Sequence, residues 1–381
     1  MPFTLLTPGR TAIGEGALEE SRGALRALGG KPLIVTGPST VKREAFARLA
    51  AVLEGVPYAV FSDIPGEPDD RMAAAGAQAY LAAGCDCIIG IGGGSALDCA
   101  KAVAVNAVLP GSVCAHAGKE IIAALPPFAL IPTTAGTGSE ATKYTVITDA
   151  KTSAKLLLKG DALLPGLAVV DFTLTVSMPA SLTAWTGMDA LTHAVEAYTS
   201  KRANPLADPY AIDAVKRIFQ SLPAVCRNPA ALADRESMAI AAYEAGVCIS
   251  NASVTIVHGM SRPIGAKFHV PHGLSNAMLL APCLKLTAGR APQRYAELSR
   301  AIGFAGDGQT DAEAAQALIE QLQALTRVLE IPTPKQYGIP KDAFLALAET
   351  MAAEAIQSGS PGNSPCAVTA EDVVSLYQSL Y

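Results

Sequence analysis

The chain of 381 residues carries 29 basic and 34 acidic side chains, a formal charge of -5, and half of its residues are hydrophobic against 17% charged. That balance excludes a disordered chain and offers no basic field for a nucleic-acid backbone or an anionic bilayer. The length calls for two domains around separate cores.

The opening MPFTLLTPGRTAIGEGAL lacks the charged start and apolar centre of a leader peptide. Residues 3–15 alternate in apolar character, hold two glycines and predict a hairpin at a domain edge. KPLIVTG (31–37), YAVFSDI (58–64), CIIGI (87–91), FALIPTT (128–134) and GLAVVD (166–171) read as strands. Helical patterns separate the first four, over about 41–53, 69–84 and the stretch after the glycines at 92–94. Such alternation implies a parallel sheet covered on both faces. The richest apolar stretch, residues 85–105, carries Asp86, Asp98 and Lys101, so no membrane span is expected.

Beyond Pro179 helical patterns take over, at 181–200, 207–225, 229–250, 273–287, 292–304, 310–329 and 341–357. The expected architecture is therefore an α/β domain with a parallel Rossmann-like sheet over 1–178, followed by an all-α domain over 179–381. Eight scattered cysteines, none in a Cys-x-x-Cys pair, read as reduced core thiols and point to the cytoplasm.

Two loops carry phosphate chemistry. GIGGGSALDCAK (90–101) follows an apolar strand and opens a helix. Without Cβ atoms its backbone can approach a pyrophosphate, whose charge suits the free N–H groups of a helix start. The spacing is not Gly-x-Gly-x-x-Gly, and a bare strand-to-helix turn would also use these glycines. PTTAGTGSEAT (132–142) also ends a strand, and its hydroxyls and glycines suit phosphate, ribose or a carboxamide. Two such loops after parallel strands would line one crevice at the carboxyl edge of the sheet.

The five histidines are His116, His193, His258, His269 and His272. Asp189 and His193 stand four residues apart in GMDALTHAVEAYTS, on one face of a helix, while His258 and His272 frame HGMSRPIGAKFHVPHG. An Asp-x-x-x-His pair alone also describes a solvated helix face. With two more imidazoles it makes a nitrogen-rich site for a divalent transition metal, leaving room for a substrate oxygen.

Together these motifs resemble the iron-containing (group III) alcohol dehydrogenases, whose fold is shared by glycerol dehydrogenase and, more distantly, dehydroquinate synthase. The resemblance covers essentially the whole chain. It implies a dehydroquinate synthase-like fold with Asp189, His193, His258 and His272 as ligands of iron(II), or alternatively zinc(II). It further implies that Gly92, Gly93, Gly94 and Ser95, with Asp98 in the same motif, form the NAD or NADP pyrophosphate loop. Thr133, Thr134, Thr137 and Thr142 would line the cofactor and Lys155 would lie near the nicotinamide ribose. Asn363 falls in a C-terminal loop that approaches the active site in the family, and the edge hairpin in a homodimer contact.

Two departures from the family pattern carry information. Gly37 stands where NAD-preferring members place an acidic residue that repels a 2′-phosphate, which predicts that NADP is tolerated. Arg262 stands where many members have a second histidine. Arginine is no base near neutral pH but can clamp an anion in two-point fashion, so the predicted catalytic set is the four ligands plus Arg262. An ion pair with a neighbouring acid is the other reading of Arg262. Glu196 reads either as an orienting partner of a ligand or as an exposed acid. His269, His116, Trp185, Tyr198 and Phe268 read as loop or core residues.

A bound cation would polarise a substrate oxygen, and no protein nucleophile is needed. The expected activity is a metal-dependent alcohol dehydrogenase or aldehyde reductase acting on a small primary alcohol or aldehyde. The alternative is a dehydroquinate synthase-like cyclising lyase, for which Lys143, Lys155, Lys159, Arg262 and Lys267 form a thin cationic set. A nucleotide- or metal-sensing module is a third reading, against which all four ligands are retained.

Overall fold

A computed structural model describes residues 3–381. Two compact units divide the described residues, Leu6–Met178 and Pro179–Tyr381, the second together with residues 3–5.

In the first unit six strands form one parallel sheet: β1 (Thr11–Ile13), β2 (Pro32–Thr36), β3 (Ala59–Phe61), β4 (Cys87–Gly92), β5 (Phe128–Pro132) and, after an antiparallel pair, β8 (Leu167–Val170). The order is β1-β8-β5-β4-β2-β3, with β4 central and aligned to β5 through Ile88 opposite Phe128 and Gly92 opposite Pro132. The antiparallel pair is β6 (Tyr144–Thr148) with β7 (Lys155–Lys159). Five helices accompany the sheet: α1 (Ala17–Glu20), α2 (Arg22–Arg26), α3 (Glu44–Val52), α4 (Asp70–Ala82) and α5 (Gly94–Val108).

The continuous apolar strands are explained by burial on both faces. Ile34, Ile89, Ile91 and Ile131 enter one core with Leu18, Leu25 and Leu49. Their alternates Leu33, Val35, Ile88 and Leu130 enter another with Leu97, Ala100 and Val103 of α5. Period-2 alternation splits each strand between the two layers.

The hairpin expected at 3–15 is not formed. β1 instead pairs in parallel with β8, Thr11 opposite Ala168, and Gly9 and Arg10 donate to the carbonyls of Pro165 and Gly166. Its partner lies some 150 residues away, so the alternating pattern was a true strand signal with a non-local mate. The local hairpin that does form, β6–β7, was not anticipated from the sequence.

The second unit is helical: α6 (Ala180–Thr199), α7 (Asp208–Arg227), α8 (Leu232–Asn251), α9 (Ile256–Phe268), α10 (His272–Arg290), α11 (Gln293–Ala301), α12 (Asp311–Val328), and the shorter α13 (Pro334–Tyr337), α14 (Lys341–Ala346), α15 (Ala348–Gln357) and α16 (Ala370–Ser379). α6 packs on α7, α8 and α10, and α10 in turn on α9 and α12. Among the described residues no single helix is long and apolar enough to cross a membrane.

Candidate metal and cofactor sites

Three helices of the second unit each bring part of one cluster. Asp189 and His193 lie one turn apart on the buried face of α6, His258 in the first turn of α9, and His272 at the first position of α10. From Asp189 Oδ1 the Nε2 atoms of His193, His258 and His272 stand 3.9, 3.7 and 3.7 Å away, and the four ligand atoms all lie within 4.8 Å of one another.

Each of the latter two histidines is followed by a glycine, for a packing reason. A Cβ on Gly273 would meet the Trp185 carbonyl oxygen at 2.5 Å and Asp189 Cβ at 3.3 Å. The missing side chain lets α10 close on α6 beside the ligands. A Cβ on Gly259 would meet the Pro361 ring at 2.8 Å, so the C-terminal loop seats directly on α9. Asn363 fixes the same loop, its Nδ2 donating to Ser253 Oγ and the Val254 carbonyl ahead of α9.

Glu196, one turn beyond His193, is 1% exposed. Its Oε1 accepts from Thr255 Oγ at 2.6 Å and from Val257 N at 2.7 Å, so it caps a helix whose N-cap residue makes no capping bond of its own. Its Oε2 lies 2.5 Å from His258 Nδ1. Donation of the Nδ1–H to this carboxylate leaves the Nε2 lone pair facing Asp189. Of the two readings weighed for Glu196, the exposed acid is excluded.

The donor set fits a cation. Burial, with His193 adding to it and Asp189 opposing, drives the His258 imidazole well below its ordinary range, keeping it neutral. Burial would raise the Asp189 carboxyl, but His193, His272, His258 and the Asn276 amide outweigh it and hold it ionised. These are the deprotonated forms a metal requires. Asn276 Nδ2 lies 2.6 Å from Asp189 Oδ1, 3.1 Å from His258 Nε2 and 3.2 Å from His272 Nε2. One amide has two N–H groups for those three acceptors, so acceptor capacity remains for a positive charge. Four donors each about 2.1 Å from one ion would stand roughly 3–4 Å apart, close to the spacing observed. Sequence reading missed Asn276, although it sits four residues after His272 on the same helix face.

Arg262 lies one turn beyond His258 on α9 and donates from Nη1 to Ser360 Oγ at 3.1 Å. Among the described residues it forms no ion pair, and burial pushes its guanidinium below the ordinary range against the pull of Glu196. His269 ends α9 in the left-handed region at φ 54°, turning the chain back toward His272. Tyr198 is buried beneath the Arg294 guanidinium, 3.8 Å from its ring centre, and Phe268 packs on Phe344. Both serve packing.

In the first unit the two loops touch. β4 ends at Gly92 (φ 148°), and α5 starts immediately after the N-cap Gly93. Thr133 N donates to the Gly92 carbonyl at 2.8 Å. A Cβ on Gly94 would meet Thr137 Cγ2 at 2.6 Å, and one on Gly93 would meet Thr134 Cγ2 at 3.4 Å. Gly93, Gly94, Ser95, Thr133, Thr134 and Thr137 are all partly exposed at the carboxyl end of the sheet. Thr142 is buried instead, its hydroxyl bonded to Lys101, and both carboxylate oxygens of Asp98 are taken by Ser139 Oγ and Val146 N. Lys155 pairs with Glu67 at 2.8 Å. Gly37 follows β2 with ordinary backbone, and a Cβ there would meet only Ile64 O at 3.6 Å and Thr40 Oγ at 4.0 Å, so glycine is not sterically required.

A parallel sheet ending in two glycine- and threonine-rich loops, with an Asp-His-His-His cluster on helices that is buried save for the partly exposed His272, defines a metal- and nicotinamide-linked oxidoreductase class. The chain belongs to the iron-containing alcohol dehydrogenase family. The family model for iron-containing alcohol dehydrogenase matches residues 8–172, and that for the C-terminal part of the Fe-containing alcohol dehydrogenase family matches 183–381. The family uses NAD(P) and a divalent metal. The chain is 32% identical over 386 residues to the 1,3-propanediol dehydrogenase of Citrobacter freundii, covering 100% of this chain and 99% of that protein. It superposes on a crystal structure of 1,3-propanediol oxidoreductase with a TM-score of 0.95 at 31% identity, covering 100% of both chains. It also superposes on sulfoacetaldehyde reductase from Bifidobacterium kashiwanohense in complex with NAD+, with a TM-score of 0.86 at 27% identity, covering 100% and 99%.

Proposed function

We propose that this chain is an NAD(P)-dependent alcohol dehydrogenase or aldehyde reductase whose substrate is a small primary alcohol or aldehyde bearing an anionic group. Asp189, His193, His258 and His272 would hold the divalent metal, iron(II) in preference to zinc(II), which when bound supplies a Lewis acid to the substrate oxygen. Glu196 and Asn276 orient that ligand set, of which only His272 is partly open to solvent. Gly92, Gly93, Gly94 and Ser95 would receive the pyrophosphate at the start of α5, and Thr133, Thr134 and Thr137 the rest of the nucleotide. The nicotinamide, when bound, would supply the hydride acceptor or donor, the hydroxyl proton being released on oxidation, and no protein nucleophile is needed.

The anionic substrate rests on one observation: Arg262, one helical turn from His258, has no ion-pair partner among the described residues. A guanidinium so placed is free to take a carboxylate, sulfonate or phosphate in two-point fashion. That a structural relative is named a sulfoacetaldehyde reductase agrees with this reading. Replacing Arg262 by His should lower kcat/KM about tenfold or more for an aldehyde carrying a sulfonate or carboxylate, and far less for a neutral one of equal length. Equal losses on both would remove the clamp.

Gly37 supports use of NADP as well as NAD, since no acid stands there to repel a 2′-phosphate. An NAD preference in kcat/KM above about a thousandfold would discard this. The free thiols support a cytoplasmic location, and the terminal place of β1 in the sheet order supports a homodimer, which light scattering would reveal as twice the chain mass.

A further inference from the structure

Lys101 is among the largest fully buried side chains and plays no part in the reaction described above. It lies three residues after Asp98 on α5, so both project from the same helix face. The three N–H groups of its ammonium meet three acceptors, the Thr142 carbonyl at 2.7 Å, Thr142 Oγ at 3.0 Å and the Tyr144 carbonyl at 2.8 Å. Asp98 holds the same segment from the other side. Its Oδ1 accepts from Ser139 Oγ at 2.6 Å, its Oδ2 from Val146 N at 2.9 Å and its carbonyl from Thr145 Oγ at 2.9 Å. Two residues of α5 thus take every one of these six bonds from residues 139–146.

Retaining a buried ammonium is costly, and a methionine would fill the same volume without a charge. What Lys101 achieves that an apolar side chain does not is a fixed distance between two backbones. The 133–142 loop leaves β5 bonded to Gly92 and passes against Gly93 and Gly94. It would be free to lift from α5 at its far end without the Asp98 and Lys101 contacts. Glu140, in the same loop and 2% exposed, adds a second acid to the field around the ammonium.

We propose that Asp98 and Lys101 are positioning residues that clamp the threonine loop to the glycine turn and thereby set affinity for the nicotinamide nucleotide. The proposal rests on the cofactor reading given above. It assigns to Asp98 an indirect part, through Ser139 and Val146, in place of contact with the nucleotide.

Calorimetric titration of the metal-loaded enzyme with NAD+ and NADP+ tests it, alongside metal content and kcat at saturating cofactor. In K101M the Kd for both nucleotides should rise about tenfold or more, with metal content unchanged and kcat at saturation within about threefold of wild type. T145V and S139A, each removing one hydroxyl from the network, should raise Kd about two- to fivefold and remain folded even where K101M does not. A Kd within about twofold of wild type in all three overturns the clamp, as does a fall in kcat or metal content without a change in Kd. Absence of any nucleotide binding by the wild-type enzyme would instead refute the cofactor reading, so the two failures are distinct.

Discussion

The two candidate sites are built on opposite principles. In the sheet unit, the candidate nucleotide-binding groups come from two short local segments, where glycines and hydroxyls follow strand ends and open a helix. In the helical unit, the candidate ligands come from three helices whose sequence positions span 189 to 272, and Asp189, His258 and His272 are held by Glu196 and Asn276, which lie outside the ligand set. A backbone-built site tolerates side-chain change provided its turns persist. A side-chain-built site depends on helix–helix distance, and so is fragile at positions remote from the chemistry.

That contrast breaks most sharply at Gly273. An alanine there must displace the Trp185 carbonyl or push α10 away from α6, carrying His272 off Asp189. G273A is expected to lose most of its metal and to lower kcat about 100-fold while remaining helical by circular dichroism. Normal metal content in G273A would show the helices to be more compliant than the packing implies.

Next is Glu196. Removing it frees the start of α9 and the His258 tautomer together. E196A should weaken metal binding about 10- to 100-fold, with E196Q intermediate because an amide oxygen still accepts one bond. Cobalt(II) substitution reads this directly, since an altered ligand field shifts the visible spectrum. An unchanged spectrum and affinity would reduce Glu196 to a helix cap.

On the sheet side the expected effects are smaller and concern choice of nucleotide. There is room for a side chain at residue 37, so G37D should leave NAD turnover nearly intact and lower the NADP-to-NAD ratio of kcat/KM about tenfold. An unchanged ratio would place the 2′ position elsewhere.

The smallest effect lies outside either site. Burial, with Asp213 adding to it and Arg217 opposing, pushes the Glu244 carboxyl up to about 8. The folded state then holds a proton the unfolded chain has released above its ordinary value of 4.5. The stabilisation is complete below that value and is lost as pH rises through about 8. E244Q should flatten the fall in Tm between pH 5 and pH 9, whereas parallel Tm profiles for both proteins would contradict the shift.

The same contrast explains what the sequence revealed. Strands such as Pro32–Thr36 and Cys87–Gly92 were legible because burial on both faces leaves unbroken apolar runs closed by glycine. The long helices were legible through periodicity. Helix α9 was not, because Pro263 and two glycines within HGMSRPIGAKF read as breaks, and its stability comes from the Glu196 cap and the seat of Pro361 on Gly259. Histidines are few, so their convergence could be suspected. Asn276, Lys101 and Ser360 are common residue types whose roles exist only through partners distant in sequence, and no local signal marks them. The 3–15 hairpin failed for the same reason, since a strand pattern does not name its mate.

The most direct test of the account is metal stoichiometry. Purified protein, stripped by chelation and reloaded with iron(II), should take up one equivalent per chain and regain NAD(P)-linked alcohol oxidation in proportion. D189A and H258A should take up none while keeping wild-type helicity. One equivalent retained in either variant, or full oxidation by the stripped enzyme, would contradict it.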